Sequence, residues 1–376
     1  MTELAVTDIR NPEPAPRQPR PPQLPALTSV RFFAALYVAL FHMVRPFERW
    51  GRGAEFAGAG YVGVSFFFLL SGFILTYSHA AEPSLGSVFR KRFYFARFAR
   101  IYPVYFLLTL AAGVLMRSYF DKPIHLVAYL ADFLMLQTWS IRMVSFFNVP
   151  AWSVSMEVFF YLVFPFLFRR VRPRSLTAGV ALLLGFWLLA MAMPAVAMAT
   201  GAGGTWHEGF GSFSFWIRRF PPFALPEFLA GVVLGWLYLE HPPAPRRALW
   251  MAITAILTLL ALLSYADHLP MLMLHNGLLI PLYALVLVGL SQRHWLSRAL
   301  AWGPLVLLGE ASYSLYLTHF MLGDAMTEYF GWQQNFRALA VNLPLALAIS
   351  VLLYLCVERP SRKRLLRWWN GRHARA

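Results

Sequence analysis

The sequence predicts an all-α fold: a polytopic membrane helix bundle of about ten transmembrane helices plus a short re-entrant or interfacial helix. Three observations carry this expectation. Apolar residues make up 59% of the 376-residue chain and charged residues only 13%, against about 25% charged in a soluble globular chain. Mean hydropathy is +0.54. The apolar residues fall into runs close to the ~20 residues a helix needs to cross a bilayer, and most of the charge sits in short loops between them. An ordinary soluble domain, a disordered chain and a disulfide scaffold are thereby excluded. A formal net charge of +16 would suit nucleic acid if the basic residues clustered on a soluble fold. Here they separate apolar runs, so the expected partner is the lipid bilayer and no nucleic acid is expected. Cys356, the single cysteine, leaves neither an internal disulfide nor a multi-cysteine metal site, and no metal is expected.

Taken in order, residues 1–26 hold seven prolines between Pro12 and Pro25. They read as a disordered, Pro-rich cytosolic tail rather than a signal peptide, which needs an apolar stretch of roughly 7–15 residues. From Thr28 onward, apolar stretches lie near 29–46, 60–79, 100–117, 124–140, 151–168, 176–199, 219–239, 247–265, 271–290, 303–323 and 338–357. The fourth contains His125 and Asp132 and is short for a span, so it reads as a re-entrant or surface helix. A membrane domain over 27–360 and a basic cytosolic tail over 361–376 complete the chain. That tail mixes Arg and Lys with Leu365, Leu366, Trp368 and Trp369, and its tryptophans are expected at the lipid headgroups. No separate soluble catalytic domain is expected.

Charge orients the bundle. With the N-terminus inside and the fourth stretch not crossing, the segments on the inner side hold 23 Lys and Arg. The outer loops hold nine, Arg45, Arg49, Arg117, Arg218 and Arg219 among them, and Arg31 lies within the first span. Such a bias puts both termini in the cytosol. Only three of the 33 basic residues are Lys, which suits a GC-rich bacterial genome; the expected location is the bacterial cytoplasmic (inner) membrane.

Ionisable groups at membrane depth cost a few kcal/mol each and mark candidate sites. Arg31 and His42 stand eleven residues apart in the first span, which returns them to within about 20° of one face and places them roughly 16 Å apart along the axis. Ser71-Gly72 follows a Phe run in the second. Arg97 and Arg100 are i, i+3 neighbours at the inner surface, a pair suited to phosphate recognition or to anchoring on headgroups. Ser153, Glu157 and Tyr161 share a face at i, i+4, i+8. Glu310 reads as a second buried acid, while Ser312, Tyr316 and His319 form one stripe. Two histidines, two acids and a basic inner mouth leave two readings open: a membrane enzyme with a cytosolic anionic co-substrate, or a proton-coupled transporter of glycan or lipid.

The motifs then narrow the choice. Arg31-x10-His42, Gly63-Val-x-x-Phe-Phe-x-x-Ser71-Gly72-Phe73, Arg97-x-x-Arg100-Ile-x-Pro103, Trp152-Ser153-x-x-x-Glu157-x-x-Phe160-Tyr161, Ser312-Tyr-Ser-Leu-Tyr316-Leu-x-His319 and Glu358-Arg359-Pro360 occur in this order over residues 31–360. Together they resemble the acyltransferase-3 family of integral membrane acyltransferases. Two departures stand out. Many relatives carry an acid where this chain has Ser65, and many carry an Arg pair where it has Ala96-Arg97.

The resemblance implies transfer of an acyl group, usually acetyl, from acetyl-CoA as co-substrate to a hydroxyl of a sugar. The acceptor would be an exported or cell-surface polysaccharide, a glycan or a glycosylated metabolite. It implies His42 as general base, with Glu157 or another buried group orienting the imidazole. Arg31, Arg97 and Arg100 would hold the phosphates of the acyl-CoA. Ser71, Ser153, Tyr316 and His319 would contact substrate or polarise the thioester carbonyl.

Overall fold

The computed structural model describes residues 22–44, 52–116, 120–144, 146–201, 212–332 and 336–373. The expected tail over 1–26 lies largely outside these residues, as do Arg45, Arg49 and Arg117. Among the described residues there is no strand, and seventeen α-helices follow one another. They are α1 (Pro25–Val44), α2 (Arg52–Gly58), α3 (Gly63–His79), α4 (Ser87–Leu115), α5 (Pro123–Phe133), α6 (Trp152–Leu167), α7 (Leu176–Ala199), α8 (Ser212–Arg219) and α9 (Pro221–Glu240). Next come α10 (Pro245–Leu263), α11 (Met271–His275), α12 (Ile280–Leu290), α13 (Trp295–Leu300), α14 (Gly303–Glu310), α15 (Ser312–Phe330), α16 (Phe336–Leu353) and α17 (Arg359–His373).

Nine segments of the described residues are long and apolar enough to cross a membrane, so the chain is an integral membrane protein. The expected span at 303–323 is instead broken at Ala311 into α14 and α15, and α15 carries Asp324 and Glu328 beyond the apolar stretch. The short fourth stretch becomes the eleven-residue α5, about 16 Å long and too short to cross. The chain turns back behind it at Met135, which holds a left-handed φ of 55°. Ser155 fixes that turn by donating to the Met135 carbonyl at 2.5 Å.

Helix ends follow from local chemistry. Ser175 caps α7 by accepting from the Ala178 amide at 3.1 Å, and His294 and Ser297 cap α13 reciprocally. Gly331 ends α15 with φ +61°, a conformation glycine adopts without steric cost. A π-helical turn over Tyr354–Glu358 joins α16 to α17. The tail expected over 361–376 is therefore mostly helix, and Trp369 stacks on Phe95 of α4 with ring centroids 4.4 Å apart.

The α3 and α9 helices form the most extensive pair in the bundle. Gly72 of α3 faces the Phe228 carbonyl, and Gly231 of α9 faces the Leu69 carbonyl; a Cβ at either position would collide with backbone. Gly231-Val-Val-Leu-Gly235 is a small-xxx-small pattern, which lets two helix backbones touch in an environment with little hydrophobic drive. On the face of α3 turned away from the cavity described below, Ser65 donates a hydrogen bond to Glu227 of α9. Glu227 is 1% exposed. By contrast, α7 and α10 bury only four residues each, mostly Ala, Gly and Pro, and turn their leucines outward, as lipid-facing helices do.

Two outcomes are expected. Gly231→Leu drives a side chain into the Leu69 carbonyl and should cost about 1–3 kcal/mol or more, read as a lower thermal unfolding midpoint in detergent. Ser65→Ala leaves the Glu227 carboxyl without its hydroxyl and should cost about 1–3 kcal/mol, while Ser65→Thr retains most of the stability in the same assay.

Candidate active site

A cavity of about 220 Å³ lies between α1, α3, α4, α6 and α15. Seven of the nine residues singled out from sequence line it: Arg31, Ser71, Arg97, Arg100, Ser153, Glu157 and Tyr316. The spacing of α1 explains Arg31, which stands nearly two turns into the helix on the face of Thr28. Arg97 and Arg100 come from the first half of α4, before Pro103. From α6 come Ser153, Glu157 and Tyr161, on one stripe as the i, i+4, i+8 pattern requires.

Arg31 and Arg97 are enclosed by protein yet reachable from the cavity. Arg31 is under the influence of Arg100, Glu358 and Glu157, and Arg97 under that of Arg100, Arg362, Glu157 and Tyr161. Four guanidinium groups thus share one region with two carboxylates, an imbalance suited to an anion with more than one charge. Arg97 lies over the Phe93 and Tyr161 rings at 5.7 and 5.8 Å, a placement that gives a guanidinium partial compensation. Its Nε has no hydrogen-bond partner, and neither has the Ser312 hydroxyl on the opposite wall. Buried polar atoms left this way fit a polar ligand that supplies the missing partners.

Glu157 is held by hydroxyls. Ser71 donates to its Oε1 at 3.2 Å, and Tyr161, one turn along α6, donates to the same oxygen. Ser153 and Tyr316 are bonded to each other at 2.7 Å, and Ser153 donates to the Pro150 carbonyl at 3.2 Å. The phenol is then the donor to Ser153, since a serine hydroxyl carries one proton.

His42 and His319 do not line the cavity. They meet each other, His319 Nε2 to His42 Nδ1, at 3.0 Å. His319 Nδ1 is 3.0 Å from the Leu315 carbonyl and His42 Nδ1 is 3.0 Å from the Val38 carbonyl. A carbonyl can only accept, so each Nδ1 carries the proton, and His319 Nε2 accepts from His42. This tautomer makes Nε2 the proton-accepting nitrogen of His42. His319 is 0% exposed, and its ring centroid is 6.0 Å from that of Tyr316. The histidine pair therefore lies one turn of α15 beyond the cavity.

The hydrogen bonds of Glu157 go to Ser71 and Tyr161, and the group found beside His42 is the second histidine. Glu310, read from sequence as a second buried acid, is instead exposed at the end of α14, where Tyr354 donates to it. The acid that takes its place is Glu358, 5% exposed, which accepts from Ser314 at 3.2 Å and faces Arg31 and Arg100. Its signal was Glu358-Arg359-Pro360, noted as a motif without a role. Glu227 was missed altogether; no local pattern marks a lone acid in an apolar helix as the partner of a serine 162 residues earlier. Among the described residues, no three His, Cys, Asp or Glu side chains stand together as a metal site.

The sequence model of an acyltransferase domain family matches residues 24–356, which takes in every site residue named except Glu358 and Arg362. The chain is 28% identical to acyltransferase MdmB of Streptomyces mycarofaciens over 92% of its own length and 94% of that protein's. It is 24% identical to O-acetyltransferase OatA of Staphylococcus aureus over 92% of its length, spanning 58% of that larger protein. With the peptidoglycan O-acetyltransferase OatA of Listeria monocytogenes it shares 22% identity, again spanning little more than half, 56%, of the relative. No solved structure matches. The chain belongs to the acyltransferase-3 family and is a membrane-bound O-acyltransferase.

Proposed function

We propose that the protein transfers an acetyl group from acetyl-CoA to a sugar hydroxyl of a glycan, a cell-surface or exported polysaccharide, or a glycosylated metabolite. The observation that carries the donor is the cavity itself: Arg31, Arg97 and Arg100 converge on it, and the Arg97 Nε lacks a partner. A nucleotide with several phosphates supplies charge and acceptors to such a cluster, and guanidinium binds phosphate with two parallel hydrogen bonds. The names of the relatives support acetyl as the group and a glycan as the acceptor, since two are O-acetyltransferases and one of these is a peptidoglycan O-acetyltransferase. Both termini lie in the cytosol of a bacterium and the bundle in its inner membrane, with the Pro-rich segment 1–26 and residues 361–376 as cytosolic tails.

The steps follow from the residues. The arginines hold the phosphates at the inner end, and the thin arm of the donor runs toward Ser153 and Tyr316. His42 Nε2 takes the proton of the acceptor hydroxyl as its oxygen attacks the thioester carbonyl. Its Nδ1–H stays shared between the Val38 carbonyl and His319 Nε2, so the carbonyl and the second imidazole together hold the base in the working tautomer, the part a carboxylate plays in a hydrolase triad. Tyr316 turns its hydroxyl from Ser153 to the oxygen on which negative charge develops. The tetrahedral centre then collapses: the carbon–sulfur bond breaks, the thiolate leaves, and the proton held by His42 passes to it. Proton-coupled transport, the other reading of these side chains, loses its ground with membership of an acyltransferase family.

Calorimetry with acetyl-CoA on the purified protein tests the donor. Saturable binding is expected for the wild type, weakened roughly tenfold or more in Arg97→Ala/Arg100→Ala, because a hydrogen bond to a charged group contributes about 1.5–3 kcal/mol. A folded protein that binds no acyl-CoA would overturn the donor assignment. For the base, His42→Ala should lower transfer of radiolabelled acetyl in membranes by about 10²–10⁴-fold without loss of acetyl-CoA affinity. Glutamine at 319 keeps an acceptor near the Nε2 position, so His319→Gln should retain more transfer than His319→Ala; equal losses would count against the orienting role.

A further inference from the structure

We propose that Phe67 sets the length of acyl chain this protein accepts, restricting it to two carbons, an inference that rests on the acyl-CoA reading of the cavity. Phe67 stands on α3 one turn from Ser71, on the wall of the same cavity. Its ring meets the Tyr316 ring edge-on, centroids 6.1 Å apart at 76°. Tyr316 is in turn tied to Ser153 and lies edge-on to His319. Phe67 and Tyr316 therefore stand at the end of the cavity nearest the histidine pair. Along α15, Ser312 lines the cavity, Tyr316 is about 6 Å farther on, and His319 about 4.5 Å beyond that.

A thioester carbonyl beside Tyr316 lies at this end, one helical turn from the histidines, so its acyl chain meets the Phe67 ring. What lies behind the ring decides how long that chain is. Phe67 packs against all three of the large apolar clusters of the bundle. One of those clusters includes Ala35, 0% exposed, and Leu315, 1% exposed, so the ring is backed by packed apolar side chains. Removing the ring would open apolar space for further methylenes, continuous with the donor cavity. No other aromatic ring on the cavity wall joins the three clusters.

The test compares acetyl-, butyryl- and hexanoyl-CoA binding, by calorimetry, in the wild type, Phe67→Leu and Phe67→Ala. The quantity read is the ratio of hexanoyl-CoA to acetyl-CoA affinity, which cancels general damage to the site. In the wild type the ratio should be well below one. It should rise in Phe67→Leu and rise further, by roughly tenfold or more, in Phe67→Ala, as each methylene finds apolar surface to bury. Should Phe67→Ala fail to fold, a monodisperse Phe67→Leu decides by itself. The same ratio in the wild type and the folded variants overturns the assignment of Phe67 and leaves the donor reading standing. Failure of the wild type to bind any of the three thioesters overturns the donor reading and this one with it.

Discussion

A guanidinium group in hydrocarbon must have polar company, because the bilayer offers none, and the placement of three arginines decides much of this structure. Arg31 from α1 and Arg97 and Arg100 from α4 gather about one cavity, with Glu157 and Glu358 as the nearby counter-charges. Aromatic faces complete their surroundings, Phe93 and Tyr161 against Arg97. The acids are fewer than the arginines, and both are partly occupied by hydroxyls from Ser71, Tyr161 and Ser314. The surplus positive charge is tolerable only where water or an anion enters. A cluster built this way is stable without ligand and incomplete in its hydrogen bonding, a condition suited to a charged donor that comes and goes.

The geometry of that cavity depends in turn on the contact between α3 and α9. Glycines at 72, 231 and 235 bring the two backbones together, and this fixes the rotation of α3 about its axis. With that rotation fixed, Phe67 and Ser71, one turn apart, face the cavity, while Ser65 faces Glu227. The Ser65–Glu227 bond locks the rotation from the opposite side, since turning α3 would strand a carboxyl in the interior. The acid that many relatives carry at the Ser65 position is absent here, but a carboxyl reaches the same place from α9. Structural and functional polarity thus occupy opposite faces of one helix.

Much of the site was legible because helical spacing is a rigid ruler. Arg31 and His42 share a face of α1, and Ser153, Glu157 and Tyr161 share one of α6, for reasons of 100° per residue alone. The same ruler is silent on which helix stands opposite. It therefore left Glu157 as the candidate partner of His42, although Ser71 lay on α3 to receive it, and could not match Glu227 with Ser65. Glu310 misled for a related reason: its neighbours are apolar, yet α14 ends there, and a helix end can reach the exterior from an apolar run. The short α5 was readable because length against bilayer thickness is an absolute test, whereas at the break at Ala311 the nearby Gly309 serves a close approach to the Thr28 carbonyl, which the sequence does not reveal.

The pairing of two histidines, rather than a histidine with an acid, has a chemical logic at this depth. A carboxylate beside His42 would add a charge to the interior before any substrate arrived, and the fold already carries surplus charge in its arginine-lined cavity. A neutral imidazole fixes the tautomer of His42 equally well, because the Leu315 carbonyl holds the proton of His319 on Nδ1 and leaves Nε2 free of one. The cost is less stabilisation of the imidazolium that forms when His42 accepts a proton, since its neighbour is a dipole and not an anion. Such a base works best when the proton stays only briefly. In the proposed acyl transfer from a thioester that condition is met: the thiolate that leaves is close to the acyl carbon, takes the proton at once, and would return His42 to the neutral form in which the pair is at rest.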